Sequence, residues 1–332
     1  MTKLSFLDLV NVVEGETPAD AIRRVGPMAA HAESLGYHRY WIAEHHGMAG
    51  VAAAATALII AEAGRATSTM RVGSGGIMLP NHSPYIIAEQ FGTLDALFPG
   101  RVDLGLGRAP GADGRLSRAL RHDTMREAQE FPRNIMELRA HFTGDPDLGL
   151  LAVPGLGAQV EMWILGSSLF GAQLAAALGM PYAFASHFAP DLLDEALMVY
   201  RRDFRPSQYL REPYAAAAMN AIAAESAQEA EYIASSIMQN FVALRTGRPG
   251  KLPAPIENYA ESLDPSIAGM LTQVMQCSAF GSVDDVARGL RQFIRRTQVD
   301  EVIVHSPAFD PEARMKSVAL VARAFEQMRE TA

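Results

Sequence analysis

Residues 40–65, YWIAEHHGMAGVAAAATALIIAEAGR, decide the fold because they place a short apolar run directly before a helix-length, alanine-rich segment. Residues 40–42 are apolar in the manner of a buried strand, and residues 51–65 have the length and composition of a helix. The same unit recurs along the chain. Eight such alternations predict an α/β protein whose parallel sheet closes into a single (β/α)8 TIM barrel. An open doubly wound sheet also gives strand–helix alternation, and it stays open as an alternative at this point.

The predicted elements follow one another in a regular order. Strands are predicted at residues 4–9, 40–42, 71–73, 102–106, 162–165, 182–185, 214–224 and 301–305. Helices are predicted at residues 17–36, 51–65, 84–97, 126–142, 169–178 and 191–204, with further helices starting after Ser226 and at Pro311. The prolines and glycines of residues 247–280 interrupt this rhythm. They predict an insertion, or lid, over one end of a single domain that spans residues 1–332.

The composition is that of an ordinary globular enzyme, with 332 residues of which 49% are hydrophobic and 20% charged. A formal net charge of -8 and the lack of a basic run give no electrostatic support for nucleic-acid binding. Cys277 is the one cysteine, which excludes an internal disulfide framework and a cysteine-rich metal site. The N-terminus lacks the apolar stretch of a signal peptide, and the longest apolar segment, residues 51–63, is too short for a bilayer. We therefore expect a cytoplasmic protein that does not enter a membrane.

A barrel places its functional residues at the carboxyl ends of the strands. Glu44-His45-His46 directly follow the second strand and supply groups that titrate near neutral pH. Strand alternation points Glu44 and His46 one way and His45 the other, so only one imidazole needs to face a ligand. Two alternatives stay open from the residues alone, namely satisfied surface histidines and a metal site. The histidines available for a metal are His82, His187 and His305, although no His-x-His or cysteine pair occurs.

Three further features follow the third, fourth and fifth strands. Gly75 and Gly76 weaken a strand, and such glycines mark a bend or a close approach of backbone to a ligand. Arg108 follows the fourth strand and can hold a phosphate through two parallel hydrogen bonds. Gly166-Ser167-Ser168 precede an alanine-rich helix, whose first amides and dipole suit the same group. Each feature alone has a simpler explanation, namely a kink, a solvated charge and an N-cap, but the last two lie on consecutive strands and jointly predict a phosphate pocket.

Three motifs resemble those of the bacterial luciferase-like monooxygenases, and in particular the catalytic α subunit of luciferase. They are Ile42-Ala-Glu-His-His46, Val72-Gly-Ser-Gly-Gly-Ile-Met-Leu-Pro80 and Pro99-Gly-Arg-Val-Asp-Leu-Gly-Leu-Gly-Arg108. The resemblance extends over nearly the whole chain, with its specific motifs in the first hundred or so residues. It implies a flavin-dependent monooxygenase that binds reduced FMN, supplied by a separate NAD(P)H:flavin reductase. Dioxygen would add to the flavin, and the resulting flavin hydroperoxide would oxygenate a small organic substrate.

The resemblance also implies roles for single residues. His45 matches the catalytic histidine of the luciferase α subunit, where it would stabilise the peroxyflavin and act as acid and base, and Glu44 would line the flavin side. Gly75-Gly76 match a non-prolyl cis peptide whose backbone packs against the isoalloxazine ring. Arg108 matches the phosphate-binding arginine, and Gly166-Ser167-Ser168 match the phosphate turn. Family analogy further implies a homodimer formed through the early helices.

Several departures from luciferase limit the resemblance. Gly107 stands where luciferase has a cysteine beside the reactive flavin carbon, and only Arg126 and Arg133 are candidates for its second phosphate arginine. The segment after residue 247 aligns poorly with the luciferase lid. These departures argue against light emission and against a long-chain aldehyde substrate. A flavin- or deazaflavin-dependent dehydrogenase or reductase on the same barrel is the main alternative, followed by a non-catalytic flavin-binding protein and a metal-dependent hydrolase.

Overall fold

The computed structural model describes residues 2–109, 114–120 and 123–330. The predicted domain 1–332 also includes residues 1, 110–113, 121, 122, 331 and 332, which lie outside the described residues. The strands are β1 (Lys3–Asp8), β2 (Arg39–Ile42), β3 (Arg71–Met78), β4 (Val102–Gly107), β5 (Glu161–Gly166), β6 (Tyr182–Phe184), β7 (Ala215–Ala223), β8 (Ser278–Gly281) and β9 (Glu301–His305). The helices are α1 (Pro18–Arg23), α2 (Val25–Ser34), α3 (Thr56–Ala66), α4 (Pro84–Leu97), α5 (Gly114–Leu120), α6 (Thr124–Gln129), α7 (Phe131–Thr143), α8 (Leu169–Leu178), α9 (Leu193–Asp203), α10 (Ala227–Arg245), α11 (Pro265–Val274), α12 (Val283–Thr297) and α13 (Pro311–Glu330).

Eight of the described strands close into a parallel barrel. Strands β1 to β7 pair in chain order, β7 pairs with β9, and β9 returns to β1. The register puts Phe6 of β1 opposite both Tyr40 of β2 and Val304 of β9. The short strand β8 lies outside this ring and continues the sheet along residues 220–223 of β7. The predicted (β/α)8 TIM barrel is confirmed, and the open doubly wound sheet is excluded because the first and last ring strands pair.

Several element boundaries differ from the prediction. The predicted helix 17–36 is two helices, α1 and α2, with Arg24 between them as the C-cap of one and the N-cap of the other. The predicted helix 126–142 is likewise two helices, because α6 ends at Gln129 and α7 starts at Phe131 with Pro132 in its first turn. Strand β8 and helix α12 are not among the predicted elements. None of the described helices has the length and apolar character needed to cross a membrane.

The segment 247–280 lies against loops at the carboxyl end of the barrel. The Leu252 N–H donates to the Val12 carbonyl at 2.9 Å, and the Leu252 carbonyl accepts from the Glu14 N–H at 2.9 Å. Gly50 approaches the same segment so closely that a Cβ there would lie 2.0 Å from the Gly250 oxygen. These contacts fix the start of the segment over the loops that follow β1 and β2. Its role as a lid stays a prediction.

The barrel interior is filled by aromatic rings at mid-height and by charges at the amino end. The rings of Trp41 and Trp163 meet edge to face with centroids 5.1 Å apart. Below them the buried Arg39 guanidinium pairs with Asp103 at 2.8 Å and with Glu301 at 3.1 Å. Such buried networks are costly to break, because a lone charge would remain out of water. The amino end of the interior is therefore structural, and the chemistry belongs at the carboxyl end.

Candidate active site

A mostly apolar cavity of about 220 Å³ lies at the carboxyl end of the barrel. Its polar lining consists of Asn11, His45, His187, Asn240 and His305. No aspartate, glutamate, lysine or arginine in the described part of the chain lines it. A larger groove of about 780 Å³ surrounds Arg39 and Arg71 at the amino end. The smaller cavity is the better candidate for the reaction site, because TIM barrels carry their sites at the carboxyl end.

Glu44 and His45 leave β2 in opposite directions, as strand alternation predicts. The Glu44 carboxylate is buried, and its Oε1 accepts hydrogen bonds from Nε2 of His46 and, at 2.7 Å, from Nε2 of His82. Its Oε2 accepts from the Met78 N–H at 3.0 Å, and the Glu44 N–H donates to the Gly76 carbonyl at 3.4 Å. Burial raises the pKa of Glu44, but the hydrogen bonds outweigh it and lower that pKa overall. The ionised carboxylate therefore joins the loop after β2 to the end of β3.

His45 instead faces the cavity. Its Nδ1 is buried and has no hydrogen-bond partner among the described residues. Burial lowers the pKa of the His45 imidazole, and the nearby Glu44 charge only partly opposes this. The ring is therefore neutral near pH 7 and can both accept and donate a proton. His45 and Glu44, predicted as one constellation, take up separate positions on the two sides of the chain.

One group of described residues can hold a metal ion. The ligand atoms of Glu44, His46 and His82 lie within 4.8 Å of one another. Two imidazoles and a carboxylate form a zinc-type ligand set. In the structure both imidazoles share a single carboxylate oxygen, a hydrogen-bonded arrangement that explains the cluster without an ion.

Gly75 and Gly76 form the cis peptide that the resemblance implies. A Cβ on Gly76 would lie 2.5 Å from the Gly105 oxygen, and one on Gly75 would lie 2.8 Å from Leu7 Cδ1. The pairing of β3 with β4 shifts register between Ser74 and Ile77, across this peptide. Gly75 also lines the cavity, so the backbone is open to a ligand there.

Arg108 and the turn after β5 come together, as their places on consecutive strands predict. The exposed Arg108 guanidinium stacks 4.0 Å from the centroid of the Phe170 ring, in the first turn of α8. Ser168 is the N-cap of α8, but its hydroxyl makes no capping hydrogen bond. The first amides of α8 thus remain available to an anion next to the guanidinium. Arg133, in contrast, is 78% exposed on α7 and lies 3.9 Å from Glu130.

Two cavity histidines have a common support that the sequence does not show. The rings of His187 and His305 meet with centroids 5.7 Å apart. The buried Asn220 of β7 donates from Nδ2 to the His187 carbonyl at 2.8 Å, and its Oδ1 lies 3.1 Å from His305 Nδ1. The sequence indicates His305 only as a possible metal ligand, and Asn220 stands in an alanine-rich strand without any motif. The one available signal is an asparagine where an all-buried strand otherwise carries apolar residues.

The barrel, the histidines at its mouth and the arginine beside a helix start are the features to compare with known protein families. The sequence pattern of the luciferase-like monooxygenase family matches residues 1–301. A luciferase-like monooxygenase of Escherichia coli (strain K12) is 47% identical over 98% of this chain and 97% of its own length. The chain belongs to the luciferase-like monooxygenase family. An N-acetyl-S-alkylcysteine monooxygenase of Bacillus subtilis (strain 168) is 30% identical over 98% of both chains.

Solved structures agree with this assignment. The apo form of MsnO8 is 32% identical, with a TM-score of 0.87 over 98% of this chain and 99% of its own. The oxygenating constituent of 3,6-diketocamphane monooxygenase from Pseudomonas putida, a type II Baeyer-Villiger enzyme solved with FMN, has a TM-score of 0.75 at 17% identity over 98% of both chains. An F420-dependent secondary alcohol dehydrogenase has a TM-score of 0.62 at 17% identity over 97% of this chain and 98% of its own. At such identities the last two show the fold alone.

Proposed function

We propose that the protein is a monooxygenase that uses reduced FMN and dioxygen to oxidise a small organic substrate. The observation that carries this proposal is the position of His45, whose unpartnered Nδ1 opens into the cavity that Gly75 of the cis peptide also lines. Membership of the family and the FMN held by the diketocamphane monooxygenase support the choice of cofactor.

The residues present fit FMN. Arg108, the uncapped start of α8 and Gly166-Ser167-Ser168 would hold the phosphate, since they combine a cation with free amide donors. Gly75 lines the cavity without a side chain, so a flat ring could lie against the backbone of the Gly75-Gly76 peptide. Reduced FMN supplies two electrons, so that one atom of dioxygen enters the substrate and the other leaves as water.

His45 would handle the protons of this reaction. Its ring is held neutral by burial, so it can accept a proton at Nδ1 and return it within the cavity. Glu44 would act as a positioning residue rather than as a proton donor, because its carboxylate is ionised and fully engaged by His46, His82 and Met78. Its backbone bond to Gly76 fixes the ring-facing peptide relative to His45.

The proposal is tested with the variant His45→Ala and with His31→Ala, a helix α2 histidine outside the cavity, as the control. FMN affinity is measured by fluorescence titration, and the release of hydrogen peroxide after mixing reduced FMN–protein with dioxygen is followed by stopped flow. We expect the protein to delay peroxide release relative to free reduced FMN. His45→Ala should keep FMN affinity within about twofold and shorten the delay, whereas His31→Ala should not. Peroxide release from the unaltered protein as fast as from free reduced FMN would refute the proposal.

Cofactor titration also separates the proposed monooxygenase from the main alternative, a dehydrogenase. A deazaflavin-dependent dehydrogenase, the activity of one fold neighbour, would bind F420 in preference to FMN and would exchange hydride without consuming dioxygen. Titration with both cofactors decides between them. We further propose that a separate NAD(P)H:flavin reductase in the cytoplasm supplies the reduced FMN, as the resemblance to the luciferase family implies.

We further propose a homodimer through the early helices. Leu58 of α3 is 74% exposed, and Ile86 and Leu97 of α4 are 44% and 52% exposed. Large apolar side chains so exposed on neighbouring helices favour association. Sedimentation of the protein beside Leu58→Lys checks this, and a monomer at micromolar concentration would contradict it.

A further inference from the structure

Buried polar atoms without partners concentrate in the active-site cavity. Among the described residues, Asn11 Oδ1, His45 Nδ1, His187 Nδ1 and His305 Nε2 are buried, lack a hydrogen-bond partner and belong to residues that line it. Native proteins pair nearly all such atoms with protein or water. Four in one cavity indicate a surface built to be completed by a ligand.

The hydrogen bonds of Asn220 fix which His305 nitrogen carries the proton. The His187 carbonyl can only accept, so the Asn220 atom that lies 2.8 Å from it must be the amide nitrogen. The Asn220 oxygen therefore faces His305, and His305 Nδ1 must donate to it across 3.1 Å. In a neutral ring the other nitrogen, Nε2, is then a bare acceptor.

The surroundings keep His305 neutral. Burial lowers its pKa well below the usual value, and the nearby His187 and Arg314 lower it further, while Asp8 opposes them. Burial also lowers the pKa of His187 to about 4. Since no charged side chain of the described residues lines the cavity, an anion would find no partner charge and would face the lone pair of Nε2.

We infer that the cavity binds a small uncharged organic molecule that donates an O–H or N–H hydrogen bond to His305 Nε2. The inference rests on the proposed function, whose substrate class it names. It assigns His305 as a residue that recognises the substrate's donor group. The cavity measures about 220 Å³, and under the proposed function the flavin ring takes part of it beside Gly75. The space left at His305 therefore suits only a compact molecule.

The place of His305 in the ring favours the organic substrate over the flavin as the donor. The ring order puts β9, which carries His305, opposite β4, which Arg108 follows. The donor site therefore lies across the barrel from the proposed phosphate site. An N–H of the flavin ring offers the same chemistry, so the experiment must separate the two sources.

The first test uses three probes of similar size on the FMN-free protein. Cyclohexanol donates a hydrogen bond, cyclohexanone only accepts, and cyclohexanecarboxylate is an anion. Affinities are measured by NMR titration of protein labelled with ¹⁵N in its histidines. We expect cyclohexanol to bind about threefold to tenfold more tightly than cyclohexanone, and the carboxylate not to bind measurably. The Nε2 resonance of His305 should have the position of an unprotonated nitrogen at pH 7 and should move with cyclohexanol alone.

The second test uses two replacements of His305 that keep one nitrogen function each. His305→Asn retains an N–H toward Asn220 and loses the cavity acceptor, whereas His305→Gln can place an amide oxygen near the position of Nε2. We expect His305→Asn to bind cyclohexanol and cyclohexanone equally and His305→Gln to retain a preference for the alcohol. Circular dichroism establishes that each variant is folded. The titration of the wild-type protein tests the inference even if a variant does not fold.

Three results would overturn the inference. Equal affinity for alcohol and ketone in the wild-type protein would mean that a water molecule, and not the ligand, donates the hydrogen bond to Nε2. A protonated Nε2 at pH 7 would refute the tautomer. Loss of FMN affinity in His305→Asn with an unchanged alcohol preference would assign the donor to the flavin. Failure of the proposed function is distinguishable, because it would appear as absent FMN binding or as undelayed peroxide release, while the preference for the alcohol in FMN-free protein persists.

Discussion

Replacing Glu44 by glutamine should destabilise the protein by about 3 kcal/mol. The carboxylate accepts three hydrogen bonds, and a carboxamide has only one oxygen to offer to His46, His82 and the Met78 N–H. At least one buried donor then faces an NH₂ group, which costs about 1–3 kcal/mol, and each remaining bond loses about 1 kcal/mol of charge assistance. For a chain of 332 residues this corresponds to a fall in melting temperature of about 4 °C.

The deficit of Glu44→Gln should depend on pH in a way that only this network produces. The pKa of Glu44 is lowered, so its contribution is complete above the usual value of 4.5 and disappears as the pH falls through the lowered pKa. The pKa of His46 is raised by its hydrogen bond to Glu44, so that contribution is complete below 6.5 and disappears as the pH rises through the raised pKa. The difference between wild type and variant should therefore be largest between about pH 4.5 and 6.5.

Urea denaturation at closely spaced pH values between 4 and 8 measures this difference. Glu326→Gln, which changes an exposed carboxylate on α13, is the matched control and should stay within about 0.5 kcal/mol of wild type at every pH. A constant deficit across the whole range would show that the carboxylate is not coupled to His46. A variant as stable as the control would refute the reasoning entirely.

Three further substitutions probe other parts of the fold and site. Arg108→Ala should weaken FMN binding about 10-fold or more and leave riboflavin, which lacks the phosphate, unaffected; equal losses in parallel titrations would exclude a phosphate role. Gly76→Ala should lower the free energy of unfolding by about 1–3 kcal/mol, because its Cβ would lie 2.5 Å from the Gly105 oxygen; an unchanged urea midpoint would contradict this. Asp8→Asn should cost about 3–5 kcal/mol, because it leaves Arg314 buried without its carboxylate at 2.8 Å, and adding Arg314→Met should recover part of that loss in the same assay.

The barrel and the positions of several site groups follow from local sequence patterns. Strand–helix alternation requires only neighbouring residues, and it places Arg108 and Gly166-Ser167-Ser168 on adjacent strands before any contact is known. The stacking of Arg108 on Phe170 then follows from that adjacency. The cis peptide at Gly75-Gly76 came from resemblance, because glycines alone equally predict a kink.

The support of the cavity histidines is a tertiary property that no local pattern contains. Asn220 and His305 are 85 residues apart, and neither belongs to a motif. Strand β8 has only four residues, too few for periodicity to distinguish it from the irregular segment before it. The sharing of one Glu44 oxygen by His46 and His82 likewise depends on how the loops after β2 and β3 meet.

Strand β7 pairs with β9 along its first part and with β8 along its last part, and this bears on recombination between relatives. Asn220 is the residue at which β7 passes from β9 to β8, and its amide also reaches the Ser278 hydroxyl at 3.2 Å. The same amide lies 4.0 Å from the Met275 sulfur, so the geometry of His305 is anchored at residues 275–278, outside residues 247–274. That stretch could therefore be exchanged between relatives. The exchange would change the entrance of the cavity and leave the hydrogen bonds between Asn220 and His305 in place.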